Sequence, residues 1–309
     1  MKLLLGLTTA TFFLYSSILL ADTKLALNWK EEPEFGGFYE ALPFYKKQNL
    51  NITIQVGGSG TPTTQMLMNS VVDYAIVSAE EIILSADRDP KRKLVAIFAV
   101  FETSPYMIMA HENFKGKSLA TLFQDSTQTI SLQKGLPYVD YLLKKFAPVK
   151  AQIVPYTGGI SLFQSNLKIS QQGFITSEAI LADQQKLKNK TWLVADEGFN
   201  PYLAVLAVRE DYLKNNRAAV KKMVEATREG WLLYLKNPQA TNLLMSQKNP
   251  AMSLQTMNLS LEKMKSLMKF EPLLLGQMKA ERWQTLQQQM FELKLIKKTS
   301  RTEELFQNF

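Results

Sequence analysis

The sequence predicts an α/β protein whose sheets are mostly parallel and covered by helices on both faces. Three observations point there. Short apolar runs alternate with helical periodicity from Lys24 to about Arg209, the pattern of buried strands joined by crossover helices. After Arg209 only helical patterns follow. Of the 309 residues, 46% are hydrophobic and 21% charged, which suits one large folded unit or two medium ones and excludes a disordered chain.

The first 21 residues read as an export signal. Lys2 gives a basic start, the run from Leu3 to Leu20 is apolar but softened by Ser and Thr, and Ala21-Asp22 follows. This is the layout of a secretory signal peptide cleaved near Ala21. The alternative is an anchor kept in the membrane. Cleavage implies an exported protein, periplasmic in a double-membraned bacterium.

Strands are expected at Lys24–Trp29, Asn51–Val56, Asp73–Val77, Leu94–Phe101, Tyr106–Ala110, Thr129–Leu132, Gln152–Pro155, Gly173–Thr176, Thr191–Ala195 and Leu203–Val208. Helices are expected from Gly36-Gly37 to about Gln48, then at Thr63–Ser70, Ala79–Ala86, Tyr138–Phe146, Ile160–Leu167 and Glu178–Leu187. The strongest helical signal is Arg217–Lys236, where Val220, Met223, Val224, Thr227, Trp231 and Tyr234 share a face and Asn237-Pro238 stops the run. Helices at Gln239–Gln247, Ser253–Met268 and Lys279–Leu293 complete the chain. The polar tail Lys297–Phe309 is either loose or docked through Phe306.

Composition removes several chemistries. With no Cys there is no disulfide, thiolate zinc site, iron–sulfur cluster or cysteine nucleophile. The single His111 excludes a site of several imidazoles and leaves a Ser-His-Asp triad without support. It is expected at the surface or at a strand end. The net charge of +8 stands without a basic face and reads as a solubility term, so no nucleic acid is expected.

One segment is unusual. Leu27-Asn28-Trp29-Lys30-Glu31-Glu32-Pro33-Glu34-Phe35-Gly36-Gly37-Phe38-Tyr39-Glu40-Ala41 lies where a first strand delivers the chain to a first helix. In open α/β sheets that edge faces the ligand crevice. Trp29, Phe35 and Phe38 put aromatic surface there, and Gly36 and Gly37 permit close approach. The competing reading places Trp29 and Phe38 in the core and the glycines in a tight turn.

This segment resembles the first motif of the periplasmic solute-binding proteins related to thiamine-pyrimidine precursor binders. That broad family includes sulfonate- and riboflavin-type binders and a eukaryotic pyrimidine synthase. Leu67–Glu80, Leu94–Pro105, Val154-Pro155-Tyr156, Gln172–Glu178 and Asn200–Arg209 resemble its later motifs, in the same order. The sequence departs from the family pattern at Val71-Val72 and at Ala179 after Glu178. The resemblance implies a two-lobed type II periplasmic binding protein. Residues 22–104 and 207–309 would form lobe one, the latter part helical, and residues 105–206 lobe two. Two crossover strands would form a hinge that closes on ligand. It further implies a small-molecule ligand, an ABC transporter permease as partner, a monomer, and neither cofactor, metal nor catalytic residue. An enzyme of the pyrimidine-synthase type is set aside, since that type needs a reactive Lys and several His or Cys.

In this frame Glu32, Glu34, Glu80, Glu81, Glu102 and Glu178 fall in the expected cleft segments, against only Lys30 and Lys134. Acidic loops favour a ligand with N–H donors or positive charge. A planar aminopyrimidine stacked on Trp29 or a Tyr, and bonded to Glu80 or Glu178, fits. Ser78, Tyr106 and Tyr202 are further expected contacts. Ser59, in Gly57–Thr61, and Gly158, in Thr157–Gly159, sit in two loops that can offer backbone N–H groups. The loop at Gly57–Thr61 has no following Lys, which rejects a nucleotide P-loop. Another small solute (riboflavin-like, sulfonate or amino compound) and a ligand-sensing subunit for a membrane receptor remain as alternatives.

Overall fold

The computed structural model describes residues 22–268 and 271–309; the expected signal peptide, Met1–Ala21, lies outside the described residues. Ten strands form two five-stranded sheets among the described residues. The first orders β2 (Ile52–Gln55), β1 (Thr23–Ala26), β3 (Tyr74–Val77), β10 (Val205–Arg209) and β4 (Leu94–Ala99). The second orders β7 (Gln152–Pro155), β6 (Thr129–Leu132), β8 (Ile169–Phe174), β5 (Tyr106–His111) and β9 (Asn189–Leu193).

Each sheet is mostly parallel, as expected: four of its five strands share one direction, and one strand, β10 in the first and β5 in the second, opposes them. β1 pairs parallel with β2 and β3, and β6 parallel with β7 and β8. β10 is antiparallel to β3 and β4, and β5 antiparallel to β8 and β9. The antiparallel strands adjoin the two crossings between the sheets, where the chain runs against the local direction of its neighbours.

Helices α1 (Gly36–Glu40), α2 (Leu42–Lys47), α3 (Thr63–Met68) and α4 (Ala79–Arg88) belong to the first sheet's crossovers. Those between β5 and β9 are α5 (Leu119–Phe123), α6 (Pro137–Lys145), α7 (Ser161–Ser165) and α8 (Glu178–Gln184). After β10 come α9 (Glu210–Asn215), α10 (Arg217–Lys236), α11 (Gln239–Lys248), α12 (Leu254–Lys265) and α13 (Ala280–Glu292). The single helix expected up to Gln48 is two, broken at Ala41, with Pro43 inside the first turn of α2. Proline lacks the N–H and crowds the carbonyl four residues back, so the turn closes and restarts. The five-residue α5 has no long apolar repeat and leaves no signal in the pattern. Ser118 caps it by accepting from Thr121 N at 3.2 Å.

Helix α10 is the keystone of the first lobe's core. Its Trp231 meets Phe38 of α1 edge to face, with ring centroids 5.7 Å apart at 85°. A Cβ on Gly37 would overlap the Trp231 ring, and one on Gly36 the Tyr234 ring. The two glycines therefore let α1 and α10 touch. Tyr45 and Thr227 hydroxyls bond at 2.7 Å beneath them. The tail is docked: Phe306 stacks on Trp283 at 5.8 Å and its backbone bridges to Ala96 of β4.

The crossings between sheets run from Ala99 to Tyr106 and from Leu193 to Val205. Ser104 N donates to Asn200 Oδ1 at 2.9 Å and ties one crossing to the other. Arg282 of α13 donates to the carbonyls of Glu102 and Asn200, one on each crossing, and lies 3.7 Å over the Tyr202 ring.

Candidate functional site

A cavity of about 510 Å³ opens between the two sheets' edges. That volume suits a small organic ligand. One wall is the segment after β1, with Asn28, Trp29, Lys30, Glu32 and Glu34, joined by Asn249, Ala251 and Met252 from the turn between α11 and α12. Asn249 Nδ2 donates to the Glu31 carbonyl at 2.9 Å, which holds that turn against the first loop. The facing wall comes from the carboxyl ends of β6, β7 and β8: Gln133, Leu136 and Tyr138, then Tyr156, Gly158 and Gly159, then Gln172 through Glu178. Tyr106, at the start of antiparallel β5, reaches the same edge. The parallel strands of both sheets thus aim their carboxyl ends at one hollow, where such sheets place ligands.

The polar interior of β8 explains how the second wall is shaped. β8 is a strand of sequence ISQQGF that starts four residues before the expected Gly173, because its central Ser170, Gln171 and Gln172 hide the apolar signal. They are buried nonetheless. Gln172 Oε1 accepts from Gln133 N at 2.6 Å, and Gln171 Nε2 donates to the Gly159 carbonyl at 2.9 Å. These side chains fix the two loops that line the cavity, satisfying buried amides in the process.

Glu178 opens α8 and turns back on β8. Its Oε2 accepts from Phe174 N at 2.7 Å and its Oε1 from the Tyr156 hydroxyl at 2.9 Å. A Cβ on Gly173 would come within 2.9 Å of the Glu178 carboxylate, so only glycine leaves room for this fold-back. Across the cavity Trp29 Nε1 donates to Glu32 Oε1 at 3.0 Å. Burial, then the nearby Glu178 charge, pushes Glu32 up to about 7. Burial, then Glu32 and Glu178, pushes Glu34 up to about 8. Burial raises Glu178 too, opposed by its hydrogen bonds from Phe174 N and Tyr156. Three carboxylates therefore meet in one poorly hydrated space, and each resists ionising. Among the described residues no group of His, Asp, Glu or Cys is arranged to hold a metal ion.

Of the residues expected to meet ligand, Trp29, Tyr106, Gly158 and Glu178 line this cavity. The others lie elsewhere. Phe35, Gly37 and Phe38 are sealed in the first lobe's core, packed beneath α10. Ser78 is spent on a capping box with Glu81 at the start of α4. Ser59 is exposed in a loop closed on itself, where Gly58 N donates to Thr61 Oγ1 at 2.8 Å. Tyr202 is buried under Arg282, its hydroxyl accepting from Lys279 N at 2.8 Å. Glu80 is 2% exposed behind the cavity wall, where burial lifts its carboxyl to about 7; burial, and then the nearby Glu80 charge, raises the Tyr106 phenol. His111 sits at the end of β5 as expected, but buried, its Nε2 bonded to the Phe163 carbonyl at 2.8 Å. Sequence reasoning missed Tyr156, Gln172 and Met252 as lining residues. Buried glutamines inside a strand were the one signal available for the second wall; the turn holding Asn249 and Met252 left none.

The fold has many solved counterparts. The periplasmic aliphatic sulphonate-binding protein SsuA of Escherichia coli matches at a TM-score of 0.69, with 13% identity over 92% of this chain and 91% of that one. The alkanesulfonate-binding protein SsuA of Xanthomonas axonopodis pv. citri, bound to MOPS, matches at 0.68, with 10% identity over 94% and 99%. The desulfurization enzyme DSZB matches at 0.61, with 12% identity over 91% and 95%. At such identities the likeness establishes the two-lobed periplasmic-binding-protein fold alone. Comparison with curated protein sequences gives no match. A family model described as NMT1/THI5-like matches residues 32–241, which takes in the acidic wall, all of the second sheet and α10. By that match over more than half its length, the chain belongs to the NMT1/THI5-like family.

Proposed function

We propose that this chain is an extracytoplasmic solute-binding protein that captures a small, flat, nitrogen-rich molecule of pyrimidine type and delivers it to the permease of an ABC importer. The observation that carries the reading is the cavity itself: Trp29 from one lobe and Glu178 from the other line a single hollow at the hinge. Trp29 is 39% exposed although its ring belongs to an ordered, hydrogen-bonded loop, the condition of a plate awaiting a stacking partner. Carboxylates offer acceptors to ring-amine N–H groups. Export through Met1–Ala21 and action as a monomer belong to the same proposal.

Sulfonate binding, which the names of the two SsuA neighbours record for those proteins, is disfavoured here by charge. Wherever Glu32, Glu34 and Glu178 are ionised they would repel an anion, and Lys30 is the single cationic side chain among the described lining residues. Catalysis is disfavoured by the absence of Cys and by a lone His111 buried away from the cavity.

The test is native mass spectrometry of protein purified without denaturation, followed by fluorescence titration of the emptied protein with 4-aminopyrimidines. A co-purified nitrogen heterocycle and a saturable indole response are expected. A bound sulfonate, or no guest and no response to any aminopyrimidine, would overturn the reading.

A further inference from the structure

Of the three carboxylates lining the cavity, Glu34 is the one left without a partner among the described residues. It lines the hollow, and among the described residues it makes neither hydrogen bond nor ion pair. Its two acidic neighbours are each engaged: Glu32 by the Trp29 indole, Glu178 by Tyr156 and Phe174 N. Asn28 adds, on the same wall, an amide oxygen that is buried without a partner. A buried acceptor without a donor is costly, and an unpaired, half-buried carboxylate such as Glu34 is costly as well. Such a residue is retained at a binding site when the guest supplies the missing partner.

Resting on the solute-binding reading above, we propose that the cleft selects a ligand carrying a full positive charge next to a flat body, an amidinium or protonated amine, which pairs with Glu34 from one lobe and Glu178 from the other. The charges that act on Glu34, those of Glu32 and Glu178, favour this. Glu32 on its own loop and Glu178 from α8 are acidic, and Tyr156 donates away from it into Glu178. Lys30 sits exposed, and its charge bears on Glu32. Before a cation pairs with them, Glu32 and Glu34 hold protons near neutrality. A cation binds their ionised forms, so its arrival releases protons to solvent and its affinity rises with pH. A neutral guest releases none. Charge pairing across the gap also gives the ligand different contacts in the open and closed arrangements, which is the requirement for it to drive closure.

Three flat probes with the same ring separate the possibilities: benzamidinium, neutral benzamide and benzenesulfonate. Each is titrated into the purified protein and followed by calorimetry in two buffers of different ionisation enthalpy. Benzamidinium is expected to bind about tenfold or more tightly than benzamide, with benzenesulfonate weakest. Its affinity is expected to climb between about pH 6 and about pH 8.5, with protons released. Glu34→Gln mimics the protonated side chain and is expected to fold normally and to remove most of the preference for the cation over benzamide. Glu32→Gln serves as the second variant and is expected to flatten the pH dependence in part. Equal binding of benzamide, tighter binding of benzenesulfonate, a preference untouched by Glu34→Gln, or no binding by any probe would overturn the cation proposal. Benzamide or benzenesulfonate binding at least as tightly as benzamidinium would do so while leaving solute binding intact. The mass of the co-purified guest judges that reading separately.

Discussion

The Trp29 indole donates to Glu32 at 3.0 Å, so the aromatic plate and the acidic wall of the cleft are one hydrogen-bonded unit. The bond spans three residues of a loop that β1 launches and the Pro33–Phe35 turn closes. Moving either side chain disturbs the other.

Trp29→Ala is therefore expected to weaken benzamidinium binding by about tenfold or more, through lost stacking and a misplaced Glu32. Trp29→Phe keeps a ring but not the N–H, and is expected to fall between the two. Calorimetric titration checks both. Affinity unchanged in Trp29→Ala would remove the stacking role.

Gly173→Ala places a methyl 2.9 Å from the Glu178 carboxylate. The carboxylate must move, and its bonds to Phe174 N and Tyr156 go with it. Binding is expected to drop by about tenfold, with thermal stability nearly unchanged because the shift stays at the cavity edge. A melting curve beside a binding isotherm separates the two effects.

The acidic wall also ties stability to pH. Burial raises Glu32 to about 7 and Glu34 to about 8, above the range these groups hold in an unfolded chain. Their contribution to stability is then fully present below about pH 4.5 and is lost as pH rises through about 7 and 8. Ligand-free Glu34→Gln should match the parent near about pH 4 and exceed it near about pH 9. Chemical denaturation at both pH values measures this, and a variant less stable than the parent at the higher pH contradicts it.

Gly37→Ala drives a methyl into the Trp231 ring at the α1–α10 contact. Overpacking of this kind costs about 1–3 kcal/mol, against which the better helix propensity of Ala returns about 1 kcal/mol. A net loss is expected in urea unfolding, with Trp emission altered. No loss would mean the two helices have slack.

Arg282→Ala should free the two crossings at once, since one guanidinium holds the Glu102 and Asn200 carbonyls. Charge-assisted bonds of this kind suggest a loss of about 2–4 kcal/mol. Thermal melting gives the size, and small-angle scattering of ligand-free protein should report a more open average shape. An unchanged melting curve would make the clamp dispensable.

Much of the fold was legible because period and composition are local. The face of α10, the short apolar strands and the helical final third follow from residues a few positions apart. The site was legible where a chemical type and a chain position coincide, as for Trp29 after β1 and Glu178 at the head of α8. It was not legible where direction decides. Phe35, Phe38 and Glu80 have the right chemistry in the right segments, yet each turns inward, because α1 is pinned to α10 and α4 begins with its capping box. A one-dimensional pattern says that a residue lies near an edge, and not which way its side chain points.

The amino-acid sequence by itself determined that this is an α/β chain with a helical end, without thiol or multi-histidine chemistry, and with carboxylates gathered after its first strand. Tertiary structure alone decided that one strand of each sheet, β10 and β5, opposes the other four, that Glu34 and Glu178 from distant segments share one hollow, and that Glu80 does not. Hydrophobic period and turn chemistry act over a few residues. Charge, burial and desolvation act through space, and only the folded chain sets those distances.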